Sequence, residues 1–213
     1  MDKLDNIQLN GSSHDKYEAL LLESELISKT DIKKSDEILN NILKSNASKK
    51  QKSRCYVNKY LFNYKNKNNK KHLDNALKLD TYNKATYLNY ITYYANKKQW
   101  RKALKKIKLG LLKIPNNQEM YFLKGKILID QQNIESAIKY FEKALTVNKP
   151  QVKIYIYLIF CYFIIQNSKK IECYYNRAIN LDGEFINTKH DDNILEKLID
   201  KYCPELSNLK FNK

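Results

Sequence analysis

Four cysteines and three histidines are the residues of this 213-residue chain best suited to metal or redox chemistry, and their spacing supports neither. Cys55, Cys161, Cys173 and Cys203 form no CxxC pair, the spacing that lets two thiolates share a metal or exchange a disulfide. They read as reduced packing thiols, which points to a cytoplasmic or nuclear compartment. His14, His72 and His190 are scattered, and His190-Asp191-Asp192 reads as a solvated loop rather than a metal site. The neighbouring carboxylates of Asp191 and Asp192 lie in polar sequence, without the burial that shifts a pKa. There is no glycine loop to cradle a phosphate, no nucleophile motif and no HExxH. Neither catalysis nor a cofactor nor a metal is expected.

Charge is the next candidate for chemistry. The 39 Lys and Arg against 23 Asp and Glu give a net charge of +16. Such an excess is either the footprint of an anionic partner, nucleic acid or a membrane surface, or a drift in composition. Only Arg54, Arg101 and Arg177 are arginines, the residue favoured for bidentate phosphate and base contacts. Lys, Asn, Ile and Tyr are abundant together, so drift is the preferred reading and nucleic acid is not an expected partner. The densest run, Lys65 to Lys71, falls at an expected turn and reads as a solvated loop. The most apolar stretch, Ile154 to Ile165, spans 12 residues, too few to cross a bilayer.

The elements that would position any site follow from a repeat. Small residues recur every 34 positions at Ala76, Gly110, Ala144 and Ala178, and the same period links Ala103, Ala137 and Ile171. A third series runs Leu39, Leu73, Ile107, Phe141, Tyr175. Within a period the apolar residues fall at i, i+3, i+4 and i+7, as Ile134, Ala137, Ile138, Phe141, Ala144 and Leu145 do. That is one face of an amphipathic helix, and each period holds two. A lone helical hairpin cannot bury its apolar face, so neighbours must stack.

The stretch 118–151 resembles a tetratricopeptide repeat, with Tyr121, Gly125, Leu128, Ala137, Phe141 and Ala144 at the family's aromatic and small positions and Pro150 one place late. The stretch 84–117 matches through Tyr87, Tyr94, Trp100, Ala103, Ile107, Gly110 and Pro115, and 152–185 through Tyr155, Leu158, Tyr162, Tyr175, Ala178 and Leu181. The stretch 50–83 keeps Tyr56, Tyr60, Leu73 and Ala76, while 16–49 keeps Leu22, Leu26, Leu39 and Leu43. The resemblance implies an all-α fold: a right-handed superhelix, or α-solenoid, of about five helical hairpins over 16–185. Residues 1–15 are expected to be a disordered tail, and 186–213 to supply a C-terminal capping helix and tail.

In the resembled family, the first helices of successive units line a concave groove. Its co-chaperone members grip the terminal carboxylate and acidic side chains of a chaperone tail through basic residues and asparagines at fixed positions. Here those positions carry Arg54 and Asn58, then Asn89, then Phe122 and Lys126, with Phe122 a departure. The implied function is a non-catalytic scaffold that binds a peptide segment, with an acidic C-terminal tail as partner. The groove positions of the last unit are apolar instead: Ile156, Phe160, Phe163 and Ile164. Their expected cover is the stretch 192–202, where Ile194, Leu195, Leu198, Ile199 and Tyr202 share one face. The alternatives are a fixed subunit of a larger assembly and a basic nucleic-acid-associated protein.

Overall fold

The computed structural model describes residues 12–62, 69–182 and 194–202. Eleven helices occupy them. They are α1 (Ser13–Ile27), α2 (Ile32–Lys44), α3 (Lys49–Phe62), α4 (Lys70–Leu79), α5 (Lys84–Asn96) and α6 (Trp100–Lys113). Then come α7 (Gln118–Asp130), α8 (Ile134–Val147), α9 (Val152–Ile164), α10 (Ser168–Leu181) and α11 (Ile194–Tyr202). The first helix starts at Ser13, earlier than the apolar pattern alone suggests, because Ser12 and Asp15 form a capping box. Among the described residues no strand is present.

The 34-residue period is written into the backbone as well as the side chains. Lys98, Gln132 and Gln166 all adopt positive φ, 55°, 59° and 56°, at the turn between the two helices of a unit. Asn133 and Asn167 follow directly, and their side chains accept from the backbone N–H of Ser136 and Lys170 to start α8 and α10. Asn83 and Asn117, themselves one period apart, start α5 and α7 in the same way. The register that selects the buried alanines therefore also selects the asparagine caps.

The chain divides into two compact units, Met1–Lys97 with Leu112–Ile114, and Lys98–Leu111 with Pro115–Lys213. In the first, α1 packs on α2 and α3, α2 on α3, α3 on α4 and α4 on α5. Its core holds Leu21, Leu39, Ile42, Ala47 and Cys55, with Leu73, Ala76, Tyr90 and Ile91 also buried. Ser53 ties three helices: its hydroxyl donates to the Ala76 carbonyl at 2.9 Å and accepts from Asn83 at 2.8 Å. In the second unit α7 packs on α8, α8 on α9, α9 on α10 and α11 on α9. Phe122, Phe141 and Tyr157 meet there with ring centroids 5.1–5.7 Å apart. The repeat's small positions serve close approach: Ala76, Ala103, Ala137, Ala144 and Ala178 are all fully buried.

Candidate functional site

Helix α3 is buried along Gln51, Ser53, Cys55, Val57, Asn58 and Lys59, because α1, α2 and α4 all pack on it. Arg54 lies half-buried at the edge of that contact and donates to the Glu18 carboxylate of α1, forming an ion pair. Gln51 reaches the same carboxylate at 3.3 Å. One helical turn along α3, the Asn58 amide donates to Glu25 at 3.0 Å. Glu18 and Glu25 are two turns apart and so share a face of α1. Burial by itself would raise the Glu18 carboxyl, but the hydrogen bond and charge of Arg54 outweigh it and hold the pKa below the ordinary value.

These residues open onto a cavity of about 350 Å³ lined by Glu25, Arg54, Val57, Asn58, Leu61, Phe62, Ala85 and Asn89. Its wall is part apolar and part amide, with one cation and one carboxylate. Asn89 donates back to the Ala85 carbonyl of its own helix at 2.9 Å. Three of the sequence-expected groove residues, Arg54, Asn58 and Asn89, thus line one cavity of the first unit. Val57, Leu61, Phe62 and Ala85 join them without having been singled out. The seven-residue spacing of Glu18 and Glu25 was a legible sign that the two acids would share a face of their own helix.

Phe122 and Lys126 belong to α7 in the second unit. Phe122 is 9% exposed and packs edge-on against Tyr157 at 5.1 Å. The Lys126 ammonium stands 5.3 Å from the Tyr157 ring centre and 5.9 Å from that of Phe122. Lys153 lies 5.1 Å from the Phe122 ring. A lysine over an aromatic face is attracted by the ring quadrupole, by roughly 0.5–1 kcal/mol where exposed. Phe122 thereby serves packing and cation stacking rather than hydrogen bonding.

The four apolar positions of α9 divide. Ile156 and Phe160 are buried, whereas Phe163 and Ile164 are 40% and 44% exposed. On α11, Ile199 is buried with the α9 residues, and Lys201 pairs with Asp182 at 3.1 Å. The side chains of Ile194, Leu195, Leu198 and Tyr202 lie outside the described residues. Phe163 and Ile164 line a cavity of about 460 Å³ with Gln166, Ser168 and Ile171.

The residues considered for metal or redox chemistry are dispersed. Cys55 and Cys161 are buried free thiols, each pushed by burial up to about 12, and Cys173 is free and exposed. His14 accepts from Gln51 through its carbonyl, and His72 stacks on Tyr56. Cys203, His190, Asp191, Asp192 and Lys65–Lys67 lie outside the described residues. Among the described residues no group of three or more His, Cys, Asp or Glu is placed to hold a metal ion. No described helix is long and apolar enough to cross a membrane.

Helix pairs with a common 34-residue register define the class: an all-α array of helical hairpins. Residues 118–150 match the family model described as Tetratricopeptide repeat. No curated protein sequence matches the chain. Among solved structures, Pseudomonas aeruginosa PilF is similar at 14% identity with a TM-score of 0.66, covering 95% of this chain and 96% of that one. A tetratricopeptide repeat protein from Parabacteroides merdae ATCC 43184 is 20% identical with a TM-score of 0.59, over 91% of this chain and 78% of that one. MamA from Desulfovibrio magneticus RS-1 is 15% identical with a TM-score of 0.60, over 84% and 99%. At these identities the likeness is one of fold. Residues 118–150 carry one tetratricopeptide repeat, and the chain shares the fold of tetratricopeptide-repeat proteins.

Proposed function

We propose that the chain is a non-catalytic protein–protein interaction scaffold that receives a peptide segment at the Arg54, Asn58 and Asn89 cavity, with an acidic C-terminal tail as ligand. One observation carries the reading: Arg54 already holds a carboxylate, that of Glu18, at the margin of a cavity with amide and apolar walls. The guanidinium is therefore placed where a ligand carboxylate could exchange for Glu18. Exchange leaves the number of charge-assisted bonds unchanged. Affinity then comes from Asn58, Asn89 and the apolar contacts of Val57, Leu61, Phe62 and Ala85. The buried free thiols fit a reducing compartment, cytoplasmic or nuclear.

Calorimetric titration with an acidic C-terminal peptide, free and amidated, tests this. The free acid should bind more tightly, and Arg54→Ala should weaken it by about 1.5–3 kcal/mol, the worth of a hydrogen bond to a charged group. Glu18→Gln should tighten it, since the resident carboxylate no longer competes. Equal binding of the two peptide forms, or none of either, refutes the reading.

A second reading, a fixed subunit of a larger assembly, is favoured by the exposed Phe163, Ile164 and Ile165 at the end of α9. It requires concentration-dependent association of the isolated chain that Phe163→Ser with Ile164→Ser abolishes. A monomer at all concentrations counts against it.

A further inference from the structure

We propose that the outward stripe of α6 docks on an anionic lipid surface. Helix α6, WRKALKKIKLGLLK, carries Arg101, Lys102, Lys105, Lys106, Lys108 and Lys113 and no acidic residue. Ala103, Ile107 and Gly110 bury its inner face. Its exposed stripe is Arg101, Lys102, Lys105, Lys108, Leu109, Leu112 and Lys113. The stripe is electrostatically costly in two ways. Arg101 and Lys102 sit in the first turn, where the helix dipole repels cations. Arg101 and Lys105 are like charges four residues apart, and Lys102, Lys105 and Lys108 are successive like charges three apart, each such pair mildly destabilising.

The pattern differs from that of the helix at the same place in the next repeat. Helix α8 lies one 34-residue period further on and has the ordinary arrangement. Glu135 occupies its first turn where α6 has Arg101, and Glu142 stands where α6 has Lys108. Glu135 also precedes Lys139 by four residues, the favourable order on a helix face. Helix α3 also holds no acid, but its Arg54 and Lys59 pair with Glu18 of α1 and Asp36 of α2.

An anionic surface removes both costs at once. The kind of surface is indicated by the leucines. Leu109 is 40% exposed and Leu112 76% exposed within the same stripe as the cations. A nucleic-acid backbone offers such side chains nothing. A lipid interface takes lysine head groups at the phosphates and leucines at the acyl boundary. Trp100, half-buried at the head of the helix, lines a cavity of about 370 Å³ with Lys98, Arg101 and Lys102. Tryptophan is a residue favoured at headgroup depth. The site is separate from the Arg54, Asn58 and Asn89 cavity and does not depend on the peptide reading.

Co-sedimentation of the full chain with phosphatidylcholine vesicles, with and without phosphatidylserine, tests the proposal. Binding should require phosphatidylserine and fall as salt rises. Lys105→Ala and Lys108→Ala should each weaken it about fivefold, the value of one lysine near a charged bilayer. Leu109→Ser with Leu112→Ser should weaken it further at unchanged charge. Lys139→Ala with Lys143→Ala on α8 is the control and should retain binding. All are exposed positions, and circular dichroism checks that each variant is folded. Absence of binding to the anionic vesicles at low salt overturns the proposal, as does an equal loss in the α8 control. Unaltered binding by the leucine pair, with a single-stranded oligonucleotide bound and lost through the same lysines, assigns the stripe to nucleic acid instead and equally overturns it.

Discussion

Gly125 occupies the small position of the 118–151 repeat, and the structure gives it a steric reason. A Cβ built there would lie 2.5 Å, 2.7 Å and 2.8 Å from Cε1, Cζ and Cδ1 of Phe141. Carbon atoms at rest stand about 3.5–4.0 Å apart, so Gly125→Ala forces a movement of about 1 Å. The ring cannot simply swing away. Phe141 is fully buried, with the rings of Phe122 and Tyr157 5.7 Å and 5.3 Å from it. Two effects oppose each other. Alanine is the better helix former by about 0.5–1 kcal/mol. Overpacking a filled core costs about 1–3 kcal/mol. Net destabilisation of about 1–2 kcal/mol should result, and at this chain length each kcal/mol lowers Tm by roughly 2–4 °C. Thermal and urea unfolding followed by circular dichroism read it. Phe141→Leu removes Cε1 and Cζ, the two nearest atoms, so in that background Gly125→Ala should cost less than it does alone. An unchanged or raised Tm for Gly125→Ala alone would refute the reasoning, since it would mean that α7 and α8 have room to spare.

Ser53→Ala removes the hydroxyl that Asn83 donates to and that holds the Ala76 carbonyl, all in buried surroundings, and should cost about 1–3 kcal/mol in urea unfolding. Tyr162 and Tyr174 both donate to the Glu142 carboxylate, at 3.1 Å and 2.9 Å. Burial first, then Glu142, pushes Tyr162 up to about 12 and raises Tyr174 as well. The folded chain keeps these protons longer than the unfolded one, so their contribution is complete below about pH 10 and fades as pH rises above it. Glu142→Gln should move the late phase of an ultraviolet tyrosinate titration to lower pH. For Glu18 the sign is opposite, because its pKa is depressed on folding. Its pairing with Arg54 contributes above the ordinary glutamate pKa of about 4.3 and is lost as pH falls through the depressed value. A double-mutant cycle of Glu18→Gln and Arg54→Ala should therefore give less than about 1 kcal/mol at neutral pH, the range for a partly exposed pair, and nothing in acid.

Much of the fold was legible because a repeat states its own packing rule several times. Leu39, Leu73, Ile107 and Phe141 were picked out by period and are all buried with 0–1% exposure. The last members of two series, Ile171 and Tyr175, are only half-buried, and neighbouring Tyr174 is the buried residue of that turn. Both lie on α10, which packs on α9. The first helix begins ahead of its apolar spacing because Ser12 and Asp15 act through a local capping box.

The candidate site was legible in its residue types and hidden in its pairings. Spacing alone placed Arg54, Asn58 and Asn89 as groove positions, and they do line one cavity. Nothing in the spacing said that Glu18 and Glu25, more than 30 residues earlier, would already hold Arg54 and Asn58. The apolar run of α9 told in advance that the helix would be covered on most sides. It did not tell that Ile156 and Phe160 would be buried while Phe163 and Ile164 stayed open.

Sequence alone determined which residues are small, which face each helix buries and where the hairpins turn. Those choices depend on short-range geometry: 3.6 residues per turn, asparagine caps at the starts of α5, α7, α8 and α10, and left-handed residues at Lys98, Gln132 and Gln166. Tertiary structure decided which charges meet, which carboxylate occupies the guanidinium and which end of an all-apolar helix remains exposed. Those depend on contacts between side chains far apart in the chain, whose partners are set only once the helices have packed.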